Sequence, residues 1–365
     1  MQKNQVAVLD VGSSKITALI GEKGINKTFI IKARKDFLYD GFMDGAFLNN
    51  ENVKSVVIAA TEFLMNSLGG IETIYVGVPG AFLNVVVKEG QISFPKKKKI
   101  TEEDVDLLFD SAFVLPSQKY TLINRSAIVY ELNDYQRLAN PVGKTSELLK
   151  GKLSFFLCDN YFIEIIRSSV SVVKPVNIEL VSVPLAEAMY LLNAEERDRI
   201  AIIVDVGYIS STFALIQGDG ILYQNSFDYG GGFITAAITK RLDIDFDIAE
   251  QLKRKINLCH SLGGKELIED SEGRLYNAEI LRETILMNLD DLCEKVSESM
   301  ENSGYVIPEY VPILVTGGGI SYLRGAKERL ANRLCSSISI IAPNIPLSDK
   351  PSDSSLFSVL DLIFE

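Results

Sequence analysis

Two stretches of this chain share one order of apolar and polar positions. The segment from Val6 to Gly21 has two apolar runs on either side of a short polar turn, a pattern that predicts a β-hairpin. Residues 200–220 repeat the order of strand, D-V-G turn, strand and glycine turn. The repetition predicts a duplicated architecture with two similar lobes.

Further apolar patterns predict helices and strands between and after these hairpins. Helical spacing over residues 52–67 and a strand-like run from Ile71 to Gly77 follow the first hairpin. After the second hairpin the pattern predicts a strand from Val311 to Val315 and helices over 244–261, 276–303 and about 322–334. This alternation of strands and helices is typical of an α/β fold.

The stretch 84–162 has a different order of elements. A predicted strand from Asn84 to Phe94 ends at Pro95, where a run of four lysines follows, and Thr101 is placed to cap a helix. Two strand-like runs come next, over 120–132 and 152–158. We expect a small inserted module, with the lysine run as a solvated loop rather than a contact for lipid or a neighbouring subunit.

Composition narrows the class of protein. The chain has 365 residues, which suggests two or three domains or one two-lobed domain with insertions, and 47% of them are hydrophobic, enough for a large buried core. Its formal charge of −11 argues against binding to nucleic acid. A single histidine, His260, excludes zinc motifs that need two histidines and disfavours histidine-dependent nucleophilic catalysis.

The cysteines and the hydropathy pattern indicate a cytosolic protein. No C-x-x-C pair occurs, and the four cysteines are widely spaced, as expected of reduced thiols. We find no signal-peptide pattern and no apolar run near the ~20 residues that span a bilayer. The cysteines are Cys158, Cys259, Cys293 and Cys335.

The turn of the first hairpin carries groups suited to a nucleoside triphosphate. Such a ligand needs backbone amides and other donors around its phosphates, and carboxylates for hydrated Mg²⁺. Asp10 at the strand end is placed for a metal-bound water, and Gly12 permits close approach of the backbone. Ser13, Ser14 and Lys15 are candidate phosphate donors. A plain polar turn explains this loop alone equally well.

Two later loops complete the candidate site. The second turn offers a matching carboxylate and glycine in Asp205 and Gly207, and a hydroxyl in Ser210, so facing hairpins would clamp phosphates from both lobes. Asp10 and Asp205 are the candidate Mg²⁺ ligands, acting through water. A third loop, formed by Gly317, Gly318 and Gly319, permits close approach of a base or an α-phosphate. Neither a Walker A nor a Rossmann glycine motif occurs.

The order of these segments resembles the actin-like ATPase superfamily and, more closely, the family of the bacterial cell-division protein FtsA. The resemblance covers nearly the whole chain and includes D-G-F-M-D-G-A at 40–46, T-E-E-D-V at 101–105, N-P-V-G at 140–143, V-P-L-A at 183–186, A-E-Q-L-K at 249–253 and V-T-G-G-G-I-S-Y-L-R-G at 315–325. The module at 84–162 lies where FtsA carries its inserted 1C subdomain, which is SHS2-like. The pilus protein PilM shares that module.

The resemblance implies a two-lobed, ribonuclease H-like fold. Lobe 1A would comprise 1–83, 163–198 and a helix near 354–365, with 84–162 as subdomain 1C. Lobe 2A would comprise 199–224 and 304–353, with 225–303 as the outer subdomain 2B.

It also implies a function and roles for residues. The relatives are cytoplasmic ATP-binding proteins that polymerise at the inner face of the cell membrane at the division site and recruit the FtsZ ring. Position by position, Asp10 to Lys15 match the first phosphate loop, and Asp205 and Gly207 the second. Glu250 and Lys253 match contacts to the ribose and base, and the glycines at 317–319 match the adenosine loop. The implied partners are the FtsZ C-terminal peptide, further copies of the chain, other divisome proteins through 84–162, and no nucleic acid.

Three departures from the family pattern affect these expectations. Tyr208 and Ile209 stand where many relatives have glycines, so the phosphate cradle is expected to be looser or differently shaped. Val183 precedes Pro184 where DnaK-type relatives have a glutamate, and Glu187 is expected to lie elsewhere, so ATP hydrolysis is expected to be slow or absent. The family's linker and amphipathic membrane helix are not part of this sequence, and we expect either that the anchor was removed or that an FtsA-like paralogue never had one.

The last segment and the overall function each leave an alternative. Leu356 to Phe364 is apolar, but its acidic neighbours favour a core helix between the lobes over a membrane contact. A sugar or acetate kinase of the same fold would explain the nucleotide loops, although no acceptor-site aspartate motif is identifiable. A PilM-like pilus-assembly scaffold that binds a peptide from an inner-membrane partner is the nearer alternative.

Overall fold

Two five-stranded sheets, one from each half of the chain, form the framework in the computed structural model. It describes residues 5–24, 28–115, 117–259, 266–345 and 349–364, so His260 lies outside the described residues. The first part contains β1 (Gln5–Val11), β2 (Lys15–Lys23), β3 (Phe29–Leu38), β4 (Phe42–Met43), β5 (Ala46–Phe47), α1 (Asn50–Ser67) and β6 (Thr73–Val78).

A smaller sheet follows, and a helical connection leads to the second half. The small sheet and its helix are β7 (Leu83–Lys99), α2 (Glu102–Ala112), β8 (Tyr120–Leu132), β9 (Arg137–Leu138) and β10 (Thr145–Asp159). The connection is α3 (Asn160–Val173), β11 (Asn177–Ser182), α4 (Val183–Leu191) and α5 (Ala194–Asp198).

The second half completes the described chain. Its elements are β12 (Ala201–Val206), β13 (Ser211–Gln217), β14 (Gly220–Phe227), α6 (Gly231–Leu242), α7 (Phe246–Lys255), β15 (Leu267–Glu269), β16 (Leu275–Asn277), α8 (Ala278–Asn302), β17 (Ile313–Thr316), α9 (Ala326–Leu334), β18 (Ile338–Ile340) and α10 (Ser354–Phe364).

The two large sheets have the same topology. The first has the order β3-β2-β1-β6-β11 and the second β14-β13-β12-β17-β18. In both, the two hairpin contacts are antiparallel and the two later contacts are parallel. Asp10 and Asp205 hold equivalent places, because each lies opposite a threonine, Thr17 or Thr212, of its own hairpin. The repeat predicted from the sequence is therefore confirmed.

The module between the lobes has the predicted strand–helix–strand–strand order. Its sheet runs β7-β10-β8-β9, and α2 packs on it through Leu108 and Phe109. Thr101 and Asp104 form the expected capping box. The predicted end of the first strand at Pro95 is wrong, because β7 continues to Lys99. A proline is tolerated there because β7 is an edge strand and a register shift lies opposite it.

The lysine run consequently lies on a strand and not in a loop. Residues 96–99 are exposed and form the last four positions of β7. Lys98 Nζ donates to Asp104 Oδ1 at 2.8 Å. The expected loop is therefore wrong, while the absence of a contact with lipid or a neighbouring subunit stays a prediction.

Two helix boundaries also differ from prediction. The helix predicted over 244–261 is shorter, since α7 ends at Lys255 and the backbone then bonds elsewhere: Leu258 N donates to Arg324 O at 2.8 Å. The helix predicted from about Tyr322 begins only at Ala326, after Gly325 in the left-handed region. Both helices are thus shorter than the apolar periodicity predicted, because backbone groups near their ends make tertiary contacts.

The final helix packs inside the molecule. Helix α10 lies against α4, and Leu356, Phe357, Val359 and Leu360 of α10 are buried. Phe357 stacks with Phe29 at a centroid distance of 6.3 Å. The predicted core helix is confirmed, and it joins the first sheet to the connection between the lobes.

The expectations for the cysteines and for membrane-spanning segments can be compared with the structure. The four cysteines are all free, with Cys158 and Cys293 buried. Among the described residues, none of the helices has the length and apolar character needed to cross a bilayer.

Candidate functional site

The predicted loops converge on one cleft between the two large sheets. Its cavity has a volume of about 950 Å³ and is lined from both halves of the chain. Of the predicted site residues, the lining includes Asp10, Gly12, Ser13, Ser14, Lys15, Asp205, Gly207, Ser210, Glu250, Gly317 and Gly318. Lys253 and Gly319 are not part of the lining.

The turns of the two hairpins touch each other through one side chain. Ser13 Oγ accepts hydrogen bonds from the backbone N–H groups of Tyr208 at 3.1 Å and Ile209 at 3.0 Å. Gly207 makes this approach possible, because a Cβ there would lie 3.0 Å from Ser13 Oγ. The second turn therefore presents two adjacent amides to one oxygen, the arrangement by which backbone amides bind an anion.

Lys15 lines the cleft, but its ammonium group is already engaged. Lys15 Nζ contacts Asp36 Oδ2 on β3 at 2.5 Å. Asp36 also accepts a hydrogen bond from Thr17 Oγ1 at 3.0 Å. Contact between Lys15 and a phosphate would require this partly exposed pair to separate or be shared.

The two aspartates lie at the ends of equivalent strands. Burial raises the pKa of Asp10 to about 6, against the opposing effect of the 2.7 Å hydrogen bond from Ser355 Oγ. Burial and the charge of Asp10 raise the pKa of Asp205 to about 7. At Asp10 the charges of Lys15 and Arg34 oppose this rise without cancelling it, because burial penalises the charged form more strongly.

The cleft accommodates hydrated Mg²⁺ better than a bare ion. Among the described residues, no three acidic, cysteine or histidine side chains converge closely enough to ligate one metal directly. Mg²⁺ commonly keeps several of its waters in protein sites, and Asp10 and Asp205 are placed to accept hydrogen bonds from them. The two carboxylates are suited to hold the ion through water, and the Mg²⁺ site stays a prediction.

Glu187 also lies in the cleft, so the prediction that it lies elsewhere is wrong. It is only 2% exposed, and its Oε1 has no hydrogen-bond partner among the described residues. The reason is helical geometry: Glu187 follows Val183 by one turn of α4, and both line the cleft. An acidic residue within the apolar stretch V-P-L-A-E-A-M-Y-L was the signal for this position.

The neighbours of Glu187 are electrostatically unfavourable. Burial, followed by the charges of Asp205 and Asp10, raises the pKa of Glu187 well above its usual value. The expectation of slow hydrolysis was based on the lack of a carboxylate at position 183. Glu187 brings a carboxyl group into the cleft one helical turn away from that position, and the expectation of slow or absent hydrolysis stays a prediction.

Glu250 and Lys253 occupy different depths. Glu250 lines the cleft, whereas Lys253 is fully buried behind it. Lys253 Nζ donates to Gly231 O and Thr235 Oγ1, both at 2.7 Å, and pairs with Glu250 Oε2 at 2.6 Å. Burial lowers the pKa of Lys253 while Glu250 opposes this shift. The pair is thus no surface ion pair, and Lys253 positions Glu250 and the start of α6.

An aromatic surface beside this pair was not predicted. Tyr208 and Tyr322 line the cleft, and their ring centroids lie 5.7 and 5.6 Å from Lys253 Nζ. The Arg254 guanidinium lies 4.3 Å from the Tyr322 centroid and bonds to Glu250. Flat rings with a cationic edge are suited to a planar base. The sequence marked Tyr208 only as a departure from glycine.

The glycines of the third loop have separate tasks. Gly317 has φ +87°, and a Cβ there would overlap Asp205 Oδ1. Gly319 packs the loop itself, because its N–H donates to Val206 O at 2.7 Å and a Cβ would overlap Gly207 O. Gly317 therefore opens the space around a carboxylate of the cleft, while Gly319 closes the backbone behind it.

Sequence comparisons link the chain to PilM and to FtsA proteins. The family model described as type IV pilus assembly protein PilM matches residues 167–269. The cell division protein FtsA of Neisseria meningitidis serogroup B is 21% identical over 338 residues, covering 90% of this chain and 81% of that protein. Further FtsA proteins align at 22–24% identity. The FtsA resemblance seen in the sequence is therefore confirmed.

Solved structures show the same fold. A chain of a PilM–PilN type IV pilus biogenesis complex superposes with a TM-score of 0.64 at 17% identity, covering 98% of both chains. MreB5 of Spiroplasma citri bound to ADP superposes with a TM-score of 0.56 at 11% identity, covering 100% of this chain and 97% of that one. The predicted actin-like α/β fold is confirmed.

Proposed function

We propose that this chain, an actin-like protein of the FtsA type, binds ATP with Mg²⁺ between its lobes and forms filaments that link an FtsZ ring to the membrane. The single observation that carries the proposal is the convergence of three separately predicted loops on one cleft of about 950 Å³. A cavity of this size is typical of small-molecule sites.

The contact at Ser13 supports a nucleotide as the ligand. Its Oγ occupies the position of an acceptor for the N–H groups of Tyr208 and Ile209. A phosphate oxygen would make the same two hydrogen bonds with a larger negative charge, which strengthens them. Binding would then replace a contact between the lobes by one that both lobes make to the ligand.

The remaining cleft residues would receive the other parts of ATP. Asp10 and Asp205 would accept hydrogen bonds from the waters of Mg²⁺, which neutralises phosphate charge when bound. The base would lie against Tyr208, Tyr322 and Arg254, with Glu250 near the ribose. Loop 317–319 would approach the adenosine closely because it lacks side chains.

Assembly and partners follow from the FtsA type. We expect copies to associate through the 84–162 module of one subunit and a lobe of the next, and other divisome proteins to bind that module. The FtsZ C-terminal peptide would bind the outer subdomain, roughly residues 225–310. The protein would act in the cytoplasm, at the inner face of the cell membrane at the division site.

Calorimetric titration with ATP and Mg²⁺ tests the nucleotide site. Wild type should bind saturably, and Asp10→Ala and Gly317→Val should each weaken binding at least tenfold. Circular dichroism would establish that the variants are folded. Absence of binding by the folded wild type would contradict the proposal and leave a scaffold without nucleotide.

A PilM-like role is the second candidate because two observations favour it. The PilM family model matches residues 167–269, and a PilM structure superposes over 98% of the chain. Fluorescence anisotropy with an FtsZ C-terminal peptide, and with a short peptide from a pilus inner-membrane partner, distinguishes the two. Binding of the pilus peptide alone would favour the PilM-like role.

A further inference from the structure

We propose that Glu187 is the third carboxylate of a divalent-cation site in the cleft, which it shares with Asp10 and Asp205 through a shell of bound water. This inference extends the proposed function. It rests on that function only because the ion is expected to accompany nucleotide phosphates. The residue lies outside the three loops on which the nucleotide site was predicted.

The first argument is an unused buried acceptor. Glu187 is 2% exposed, and its Oε1 meets no hydrogen-bond donor among the described residues, although the residue lines the cleft. Buried polar atoms in native proteins almost always have a partner, protein or water. A carboxylate oxygen left free at the wall of a ligand-sized cavity therefore points to a donor that arrives with the ligand.

The second argument is charge. The charged groups that act on Glu187 are Asp205 and Asp10, both negative. Two basic side chains of the cleft wall are committed elsewhere, since Lys15 pairs with Asp36 and Arg254 with Glu250. Lys15 and Arg34 act favourably on Asp10, but each is also paired with another aspartate, Lys15 with Asp36 and Arg34 with Asp353. Three buried carboxylates whose neighbouring cations are engaged in this way form an environment that favours a divalent cation.

The third argument is that the three groups come from separate rigid elements. Asp10 is the penultimate residue of β1, Asp205 is the penultimate residue of β12, and Glu187 lies on α4, which is packed against α10. The site therefore includes one group from each lobe and one from the connection between them. An ion held by all three would stabilise the closed arrangement of the lobes.

Local packing explains why the carboxylate of the proposed cation site lies at position 187 and not at position 183. Val183 presents methyl groups at the first turn of α4, where its Cγ2 would lie 3.2 Å from a Cβ on Gly77. Glu187 lies one turn, ~5.4 Å, further along the helix. Gly77 keeps the path from Asp10 open, because a Cβ there would lie 3.1 Å from Asp10 Oδ1.

Water completes the coordination. No three described side chains converge closely enough for direct ligation. Mg²⁺ and Mn²⁺ tolerate mixed shells in which carboxylates accept hydrogen bonds from metal-bound water. Removing such an outer partner typically weakens metal affinity by about 10- to 100-fold.

The test measures Mn²⁺ binding to the nucleotide-free full chain by electron paramagnetic resonance. Glu187→Gln keeps the shape of the side chain and removes its charge. The matched control is Glu195→Gln, because Glu195 is an exposed carboxylate on α5 away from the cleft. We expect Glu187→Gln to lower Mn²⁺ affinity about 10- to 100-fold and the control to leave it unchanged.

A thermal measurement keeps the test independent of folding. Millimolar Mg²⁺ at pH 8 should raise the Tm of wild type and of Glu195→Gln, and leave that of Glu187→Gln nearly unchanged. Equal Mn²⁺ affinity in wild type and Glu187→Gln, or no Mn²⁺ binding by wild type at millimolar concentration, would overturn the proposal.

ATP titration separates failure of this inference from failure of the proposed function. In EDTA, Glu187→Gln should bind ATP at least as well as wild type, because a negative charge near the phosphates is gone. Only the gain in affinity on adding Mg²⁺ should shrink. Mn²⁺ binding by wild type without any ATP binding would support the ion site and contradict the nucleotide site. ATP binding by wild type without Mn²⁺ binding would support the nucleotide site and contradict the ion site.

Discussion

At the scale of single residues, Gly317 joins backbone conformation to the chemistry of the cleft. Its φ of +87° lies in the left-handed region, and its missing Cβ leaves the volume that Asp205 Oδ1 and the Val206 carbonyl oxygen occupy. Two other glycines allow the effect of a positive φ to be measured apart from that of a crowded Cβ position. Gly70 has φ +78° in open space, and Gly69 has neither a positive φ nor a close neighbour.

We therefore expect Gly317→Ala to destabilise the protein by about 2–5 kcal/mol, the sum of left-handed strain and overpacking. Gly70→Ala should cost only about 1–2 kcal/mol, from the strain alone. Gly69→Ala should be within about 0.5 kcal/mol of wild type. Equilibrium unfolding in urea measures all three. A Gly317→Ala variant as stable as Gly70→Ala would contradict the proposed clash with Asp205.

The residues of the cleft show which roles a sequence reveals. Asp10 and Asp205 were predictable because each ends an apolar strand and precedes a glycine. The sequence resemblance identified Lys253 as a candidate site residue but did not indicate how deeply it is buried. Its contact with Gly231 O joins positions 22 apart, and no local pattern encodes that distance. Glu187 was visible as an acid in an apolar run, yet only the packing of α4 directs it to the cleft.

At the scale of elements, α10 illustrates an apolar helix whose environment the sequence left open. Its buried face packs on α4, and Leu360 lies so close to β2 that a Cβ on Gly21 would contact both of its methyl groups. Phe29 and Phe364 add a stacked pair at 6.2 Å. The helix thus seals the first sheet beneath the cleft.

Truncation of this helix face should reveal its contribution. Leu360→Ala removes a fully buried side chain, so we expect a loss of about 2–5 kcal/mol in the free energy of unfolding. Val306→Ala is the control, because Val306 is 90% exposed and should change stability by less than about 0.5 kcal/mol. Chemical denaturation followed by circular dichroism measures both. Equal stability of the two variants would mean that α10 is not part of the core in solution.

At the scale of the whole molecule, the inserted module is packed against the second lobe. Ile128 of β8 belongs to the core of that lobe, and Asp219 N donates to Ala127 O at 3.2 Å. Ser154 Oγ on β10 accepts from Ile221 N at 3.3 Å. Gly218 permits this contact, because a Cβ there would overlap the Ile128 carbonyl oxygen. The module is therefore tied to both lobes and not only to the lobe from which it emerges.

Gly218→Ala should loosen this contact. We expect a loss of about 2–5 kcal/mol from strain at φ +60° and from overpacking, with faster hydrogen exchange at residues 217–221 and along β8. Gly143→Ala is the matched control, since Gly143 has φ +86° but the nearest atom to its Cβ position is 3.6 Å away. Hydrogen exchange that rises equally in both variants would contradict a specific role for Gly218.

The sequence by itself determined the elements and the loops that join them. Period-two and helical patterns, turn glycines and the repeated D-V-G turn depend on neighbours a few residues away, so they predicted the duplicated sheets, the module and three of the loops that line the cleft. Only the tertiary structure decided where β7 and α7 end, which way α4 faces, and which charges are paired. Those outcomes depend on contacts between residues far apart in the chain, such as Leu258 with Arg324 and Ser13 with Tyr208, which local periodicity does not encode.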